Sequence, residues 1–247
     1  MRITVVGAPG RMGANVIAAA NRTGNECVAN VDVGYGETGL KNEYSKISDV
    51  KEASDVIIDF SFHEVTPEIV EYAVEKKTPI VVATTGHTEA EKASIFKAAE
   101  KTAVFYSGNM SLGIATLCDT VKRVVSVFEN ADVEIIETHH NRKLDAPSGT
   151  ALMLFDSVKE ARPEAEANCG RCGNAKRSKN EVGVASIRSG NIVGIHEVRI
   201  TTDYEQITLK HEAYDRALFA DGAIKAAEYL IGKKAGLYDM RAMMSER

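Results

Sequence analysis

The sequence predicts an α/β fold, a doubly wound parallel sheet followed by a smaller α+β unit. Three observations predict it. Short apolar runs alternate with helical patterns through the first half of the chain. A glycine cluster, Gly7-Ala-Pro-Gly10-Arg-Met-Gly13, follows the first of these runs directly and opens a helix. The second half changes to strands in which apolar and polar residues alternate, as on a sheet with one open face.

The elements follow in order. β-Branched runs at Ile3–Val6, Cys27–Val31, Val56–Phe60, Pro79–Ala83 and Ala103–Tyr106 read as strands. Between them, Ala14–Asn21 places Val16, Ile17 and Ala20 on one helical face. Glu64–Lys77 does the same with Val65, Ile69, Val70 and Ala73. Glu89–Lys101 follows Thr88, and Glu91 three residues on completes a capping box. Near-continuously apolar strands between helices imply a parallel sheet covered on both faces. The link from Asp32 to Asp55 is polar, bears glycine and gives no clear element; its Gly34–Ser54 part is short. Beyond it come Asp132–Thr138, a helix from Thr150 to Ala161, and a glycine-rich cationic stretch, Asn168–Lys179. Val182–Ile187, Ile192–Thr201 and Ile207–His211 read as a smaller, mostly antiparallel sheet, and Leu218–Gly232 as a strongly apolar helix. The division expected is 1–110, 111–215 and 216–247.

The net charge of −5 argues against a nucleic-acid or membrane-surface partner. No apolar run is long enough to span a bilayer, and Met1-Arg2 reads straight into a strand, so no signal peptide is expected. Four cysteines in 247 residues make no disulfide framework, so a reducing cytoplasm is expected.

Glycine lets backbone approach a pyrophosphate closely, and a helix N-terminus supplies N–H groups and a favourable dipole. The spacing is GxxGxxG, which by itself also fits a plain tight turn. Asp32, nineteen residues beyond Gly13, ends the second strand where an acid holds the adenosine ribose; its other reading is a strand-end turn residue. Val33 follows it, with no cation to attract a 2′-phosphate, so NADH is expected to serve at least as well as NADPH. Arg11 can touch a phosphate. The loops Ala83-Thr84-Thr85-Gly86 and Ser107-Gly108-Asn109-Met110 also fall at strand ends, where such sheets bind ligands.

The densest chemistry lies at His139-His140-Asn-Arg142-Lys143-Leu-Asp145-Ala-Pro147-Ser148-Gly149-Thr150. Histidines and a lysine follow a strand end, and Ser148 is a good N-cap for the next helix. Gly149 and Thr150 at the helix start make a carboxylate site. Together they suit a small dicarboxylate and a proton donor for a reduction. Either histidine has a second reading as a brace, and Arg142 one as a solvated side chain. Asp145 orients Lys143 or a histidine, or only shapes the turn. Adjacent histidines do not share a face, so no metal is expected here. Cys169-x-x-Cys172 lacks two further ligands, since Cys27 and Cys118 fall in a predicted strand and helix. Arg171, Lys176 and Arg177 read as a solvated loop, or as groups that close the site.

With these residues in view, the chain resembles the dihydrodipicolinate (4-hydroxy-tetrahydrodipicolinate) reductase family. Glu134–Ala151 is similar to that family's signature nearly throughout. Gly7–Gly13, Ala83–Gly86, Ser107–Ser111, Ser189–His196, Arg216–Gly222 and Gly236–Met240 match in order. The resemblance implies a Rossmann-like domain, a substrate domain whose open mixed sheet builds a homotetramer, and a C-terminal helix returning to the first domain. It implies NAD(P)H-dependent reduction of a cyclic imine to tetrahydrodipicolinate in the diaminopimelate route to lysine. It assigns His139 and Lys143 to proton donation, and His140, Gly149 and Thr150 to the substrate carboxylates. It assigns Gly7, Ala8, Pro9, Gly10, Arg11, Met12, Asp32, Ala83, Thr84, Thr85, Ser107, Gly108, Asn109 and Met110 to the nucleotide. Ala83 stands where the family often has glycine, and Asp32-Val33 lacks the arginine that aids NADPH in some members. Two other readings compete. A different NAD-linked dehydrogenase of amino-acid metabolism needs another catalytic loop. A non-catalytic nucleotide sensor has no use for Lys143.

Overall fold

The computed structural model describes residues 1–35 and 42–246. The polar link after Asp32 falls partly on residues 36–41, outside the described residues. The chain forms two compact units, Met1–Met110 with Arg216–Arg247, and Ser111–Asp215.

The first unit is built on a seven-stranded, wholly parallel sheet. Its strands are β1 (Arg2–Val6), β2 (Glu26–Val31), β3 (Glu43–Tyr44), β4 (Val56–Asp59), β5 (Ile80–Val82), β6 (Ala103–Tyr106) and β12 (Gly236–Tyr238), in the order β12-β6-β5-β4-β1-β2-β3. Its helices are α1 (Arg11–Arg22), α2 (Thr66–Lys76), α3 (Glu89–Ala99), α6 (Ala217–Leu230) and α7 (Met240–Ser245). Every residue of β4 and β5 is buried, as a sheet covered on both faces requires. The apolar stripes of α2 and α3 cover one face through Ile69, Val70, Ala73 and Ile95. α6 packs against α1 and against β4, β5 and β6. The Thr88–Glu91 capping box forms, with Thr88 N–H donating to the Glu91 carboxylate at 2.6 Å.

Two glycines set how closely this unit closes. A Cβ on Gly222 of α6 would lie 1.7 Å from the Met110 carbonyl oxygen, so only glycine lets the helix approach there. A Cβ on Gly13 would lie 2.2 Å from the Gly7 carbonyl oxygen, which seats α1 against the turn that precedes it.

The second unit carries a five-stranded sheet in the order β11-β10-β7-β9-β8. The strands are β7 (Asp132–His139), β8 (Glu166–Asn168), β9 (Glu181–Arg188), β10 (Gly194–Thr201) and β11 (Gln206–Ala213). β10 runs antiparallel to β7 and β11, whereas β9 is parallel to β7 and β8. The sheet is therefore mixed, as the family resemblance implies, and not mostly antiparallel as the alternation alone reads. α5 (Gly149–Ala161) crosses over from β7, and a crossover helix permits the parallel β7–β9 pair. α4 (Leu112–Val127) and α5 bury Val121, Val125, Leu154 and Val158 against Val133, Ile135, Val184 and Val198 on one face of the sheet.

The cationic stretch is anchored where the sequence reads as a solvated loop. Arg177 pairs with Asp132 and Glu134 and donates to the carbonyls of Val133 and Glu181, tying the starts of β7 and β9. Arg171 pairs with Glu181. Cys169 and Cys172 are exposed free thiols. Among the described residues no helix is long and apolar enough to cross a membrane.

Gly222→Ala is expected to destabilise the protein by about 1–3 kcal/mol or more, because backbone must move to admit the methyl group. Gly149→Ala, where a Cβ meets nothing within 4 Å, is expected to stay within about 1 kcal/mol of the parent in urea denaturation.

Candidate active site

In the first unit the strand ends carry the predicted nucleotide residues. Gly7 takes φ +77°, and a Cβ on it would lie 2.5 Å from the Phe60 carbonyl oxygen. The turn after β1 is thus wedged against the end of β4, with Gly7 N–H donating to Val31 at the end of β2. Ala8 is buried, and Pro9, Gly10 and Arg11 are exposed at the start of α1. Gly10 caps that helix without a side-chain hydrogen bond, so no side chain occupies the N–H groups at its start from the cap position. Asp32 follows β2, and its Oδ1 accepts from Gly34 N–H at 2.8 Å. Val33 beside it is 73% exposed.

The loops after β5 and β6 lie side by side: a Cβ on Gly108 would stand 4.0 Å from the Thr85 methyl. Ala83 and Thr84 are buried, while Thr85 is exposed. Ser107 Oγ donates to the Asn109 carbonyl at 2.8 Å, and Met110 is buried at the loop's end. Beneath them Asp59 is wholly buried and accepts from Ser61 and Thr66. Burial pushes its carboxyl up, against the pull of those bonds. In the sheet order these residues form one continuous rim, from the loop after β6 to Asp32.

In the second unit β7 alternates: Val133, Ile135, Glu137 and His139 point inward and are buried. Glu137 has no exposed surface, and four groups meet it. His139 Nδ1 lies 2.5 Å from its Oε2. The two terminal nitrogens of Arg188, on β9, donate to its two oxygens at 2.9 Å each. Ser148 N–H donates to Oε1 at 3.1 Å. Burial by itself would raise this carboxyl, but the bonds from His139, Arg188, Ser186 and Ser148 hold it far below the usual carboxylate range.

His196, opposite Glu137 on β10, completes the cluster. Its ring meets His139 edge to face at 5.0 Å, and its Nε2 lies 3.2 Å from Ser148 Oγ. Burial first, and then the charge of His139, push its pKa down to about 3, so it is neutral at physiological pH. Ser148 Oγ also accepts from Ala151 N–H and caps α5 as expected. Gly149 is exposed at the first turn of α5, with Thr150 next to it half-buried. Lys143 Nζ pairs with Asp145 at 2.9 Å, the contact that one of the readings of Asp145 expects. Burial raises the Asp145 carboxyl, but the lysine outweighs it and holds it low. His140 is half-buried, and its carbonyl accepts from Lys143 N–H. Arg142 is exposed.

Glu137, Arg188 and His196 were not among the site residues predicted. Glu137 and His139 did carry a signal, because a carboxylate and an imidazole two apart in a strand share the apolar face. Arg188 carried none, since its partner lies 51 residues away.

Two family models cover nearly the whole chain. "Dihydrodipicolinate reductase, N-terminus" matches residues 1–110, and "Dihydrodipicolinate reductase, C-terminus" matches residues 113–244. The chain belongs to the dihydrodipicolinate reductase family. A relative from Caldanaerobacter subterraneus subsp. tengcongensis, named 4-hydroxy-tetrahydrodipicolinate reductase, is 42% identical over 100% of this chain and 99% of its own length. One of the same name from Clostridium tetani is 39% identical over 99% of this chain and 97% of its own. Among solved structures, the dipicolinate-bound dihydrodipicolinate reductase from Paenisporosarcina sp. TG-14 shares the fold of this dihydrodipicolinate reductase family member, with a TM-score of 0.79 at 23% identity over 97% of each chain.

The neutral His196 gives the second unit an acid weakness. As pH falls from its ordinary value of 6.5 toward 3, the unfolded chain binds a proton that the folded chain does not, so stability drops. Urea unfolding at pH 7 and at about pH 4.5 is expected to show that His196→Gln loses less stability over this interval than the parent. The expected difference is on the order of 2 kcal/mol, and equal losses would refute it.

Proposed function

We propose that the chain is an NAD(P)H-dependent oxidoreductase that reduces the cyclic imine derived from 4-hydroxy-tetrahydrodipicolinate to tetrahydrodipicolinate, in the diaminopimelate route to lysine. The observation that carries this reading is the loop from His139 to Thr150. It sets an imidazole on a buried carboxylate, an ammonium group and a helix start together, in a chain of this family.

The residues of the first unit fit a pyridine nucleotide. A turn lined by backbone, with glycines whose Cβ atoms would clash, leads into a helix start that no side chain caps. That is the chemistry of a pyrophosphate cradle. In this reading Gly7, Ala8, Pro9, Gly10, Arg11 and Met12 hold the diphosphate, and Asp32 takes the ribose hydroxyls. Ala83, Thr84, Thr85, Ser107, Gly108, Asn109 and Met110 line the remainder. When bound, the nucleotide supplies hydride. Asp32 repels a 2′-phosphate and Val33 offers it no cation, so NADH serves at least as well as NADPH.

The second unit binds the substrate. His140 and the N–H groups of Gly149 and Thr150 hold the carboxylates of this small dicarboxylate. His139 and Lys143 deliver the proton that completes the reduction. The open face of the second sheet, which carries Ile136, Ile187 and Ile195, builds a homotetramer. The enzyme works in the cytoplasm, in keeping with its free cysteines.

The test is a coupled assay. The preceding synthase makes the substrate from pyruvate and aspartate semialdehyde, and oxidation of NADH and NADPH is followed. Both should be consumed, NADH no more slowly; no oxidation of either overturns the reading. Lys143→Ala should lower kcat by about 100-fold or more while nucleotide affinity holds. Pyridine-2,6-dicarboxylate should compete with the imine.

A further inference from the structure

We propose that Glu137, gripped by Arg188, is the positioning residue for the proton donor: it holds the Nδ1 proton of His139 and leaves Nε2 as the atom that transfers a proton. This rests on the function proposed above.

Glu137 and His139 are two residues apart on β7, so their side chains leave the strand on the same face. In the register of the sheet, Arg188 lies opposite His139 and His196 opposite Glu137. Arg188 spans both carboxylate oxygens, a fork-to-fork pair that fixes the carboxylate plane. It also donates to the Asp145 carbonyl at 2.6 Å, which ties the catalytic loop to the same guanidinium. Ser148 N–H takes another lone pair of Oε1.

An ionised carboxylate only accepts hydrogen bonds. At 2.5 Å from Oε2, Nδ1 of His139 must therefore be the protonated nitrogen, in the neutral ring and in the cation alike. Nε2 is then the nitrogen whose proton can leave and return. The neighbourhood suits that atom. A Cβ on Gly194 would stand 3.1 Å from His139 Nε2, so the glycine at the start of β10 keeps this side of the ring clear.

His196 and Arg188 beside the ring do not compete for its role, and Lys143 acts with it as the second member of the proton-donating pair. His196 on β10 is neutral and edge-on to it. Lys143 in the loop is paired with Asp145. Arg188 on β9 is committed to Glu137. In the step itself, hydride addition to the unsaturated, conjugated imine leaves an enamine; the Nε2–H bond of the imidazolium breaks and a C–H bond forms at the enamine carbon. The imidazole is left neutral, with its Nδ1 proton still on Glu137.

Two measurements on the full-length protein test this. Nitrogen-15 NMR of the histidine side chains, with His139→Gln for assignment, should find neutral wild-type His139 with its proton on Nδ1. A proton on Nε2 overturns the proposal. Glu137→Gln should lower kcat by about 10–100-fold, while the NADH dissociation constant and the KM for the imine stay within about threefold. An unchanged kcat overturns the proposal. The NMR result needs neither the variant to fold nor the imine to be the substrate. If the wild type fails to reduce the imine, the function proposed above falls, and the tautomer still tests the part assigned to Glu137.

Discussion

A carboxylate with no exposed surface constrains the second unit more than any other group. Taking an isolated ion from water into a protein interior costs several kcal/mol unless donors replace the solvent. Glu137 gathers its replacement from β7, β9 and the start of α5, through His139, Arg188 and Ser148. Those three residues tie two strands and a helix start to one point. Remove the carboxylate, and the helix start, the loop carbonyl held by Arg188 and the imidazole lose their common reference. The loop thus takes part of its geometry from the sheet beneath it, beside its own Lys143–Asp145 pair.

The first unit solves the opposite problem, since its ligand is to be met by backbone. There the constraints are steric. Gly7 and Gly13 let a turn, a strand end and a helix come within distances that no side chain would allow. Asp59 braces the segment after β4 through Ser61 and Thr66, and this wedge supports the turn from the other side. One unit is organised by missing side chains, the other by a charged one.

Much of this was legible in the sequence. Five of the seven strands and four of the five helices of the first unit follow from unbroken apolar runs and helical stripes, signals carried locally. The start of α5 was legible because a serine before an apolar helix is a cap wherever it occurs. What stayed hidden depends on distant pairing. The mixed sheet of the second unit comes only from the resemblance, because α5 carries the chain across to β9 and alternation along a strand says nothing of its neighbour's direction. β12 is three residues long and is defined only by its partner β6. Arg177 reads as part of a solvated or site-closing loop and Arg188 carries no signal, because their acceptors lie more than forty residues away.

The order of the chain has a consequence for its synthesis. The first unit begins at the N-terminus but is finished by α6 and β12, so its apolar strands leave the ribosome long before the helix that covers β4, β5 and β6. The second unit is contiguous from Ser111 to Asp215 and has all its core residues earlier. The nascent chain therefore completes its middle before its beginning. Until Ala220, Ala223 and Ala227 arrive, the part of the parallel sheet that α6 covers stays open.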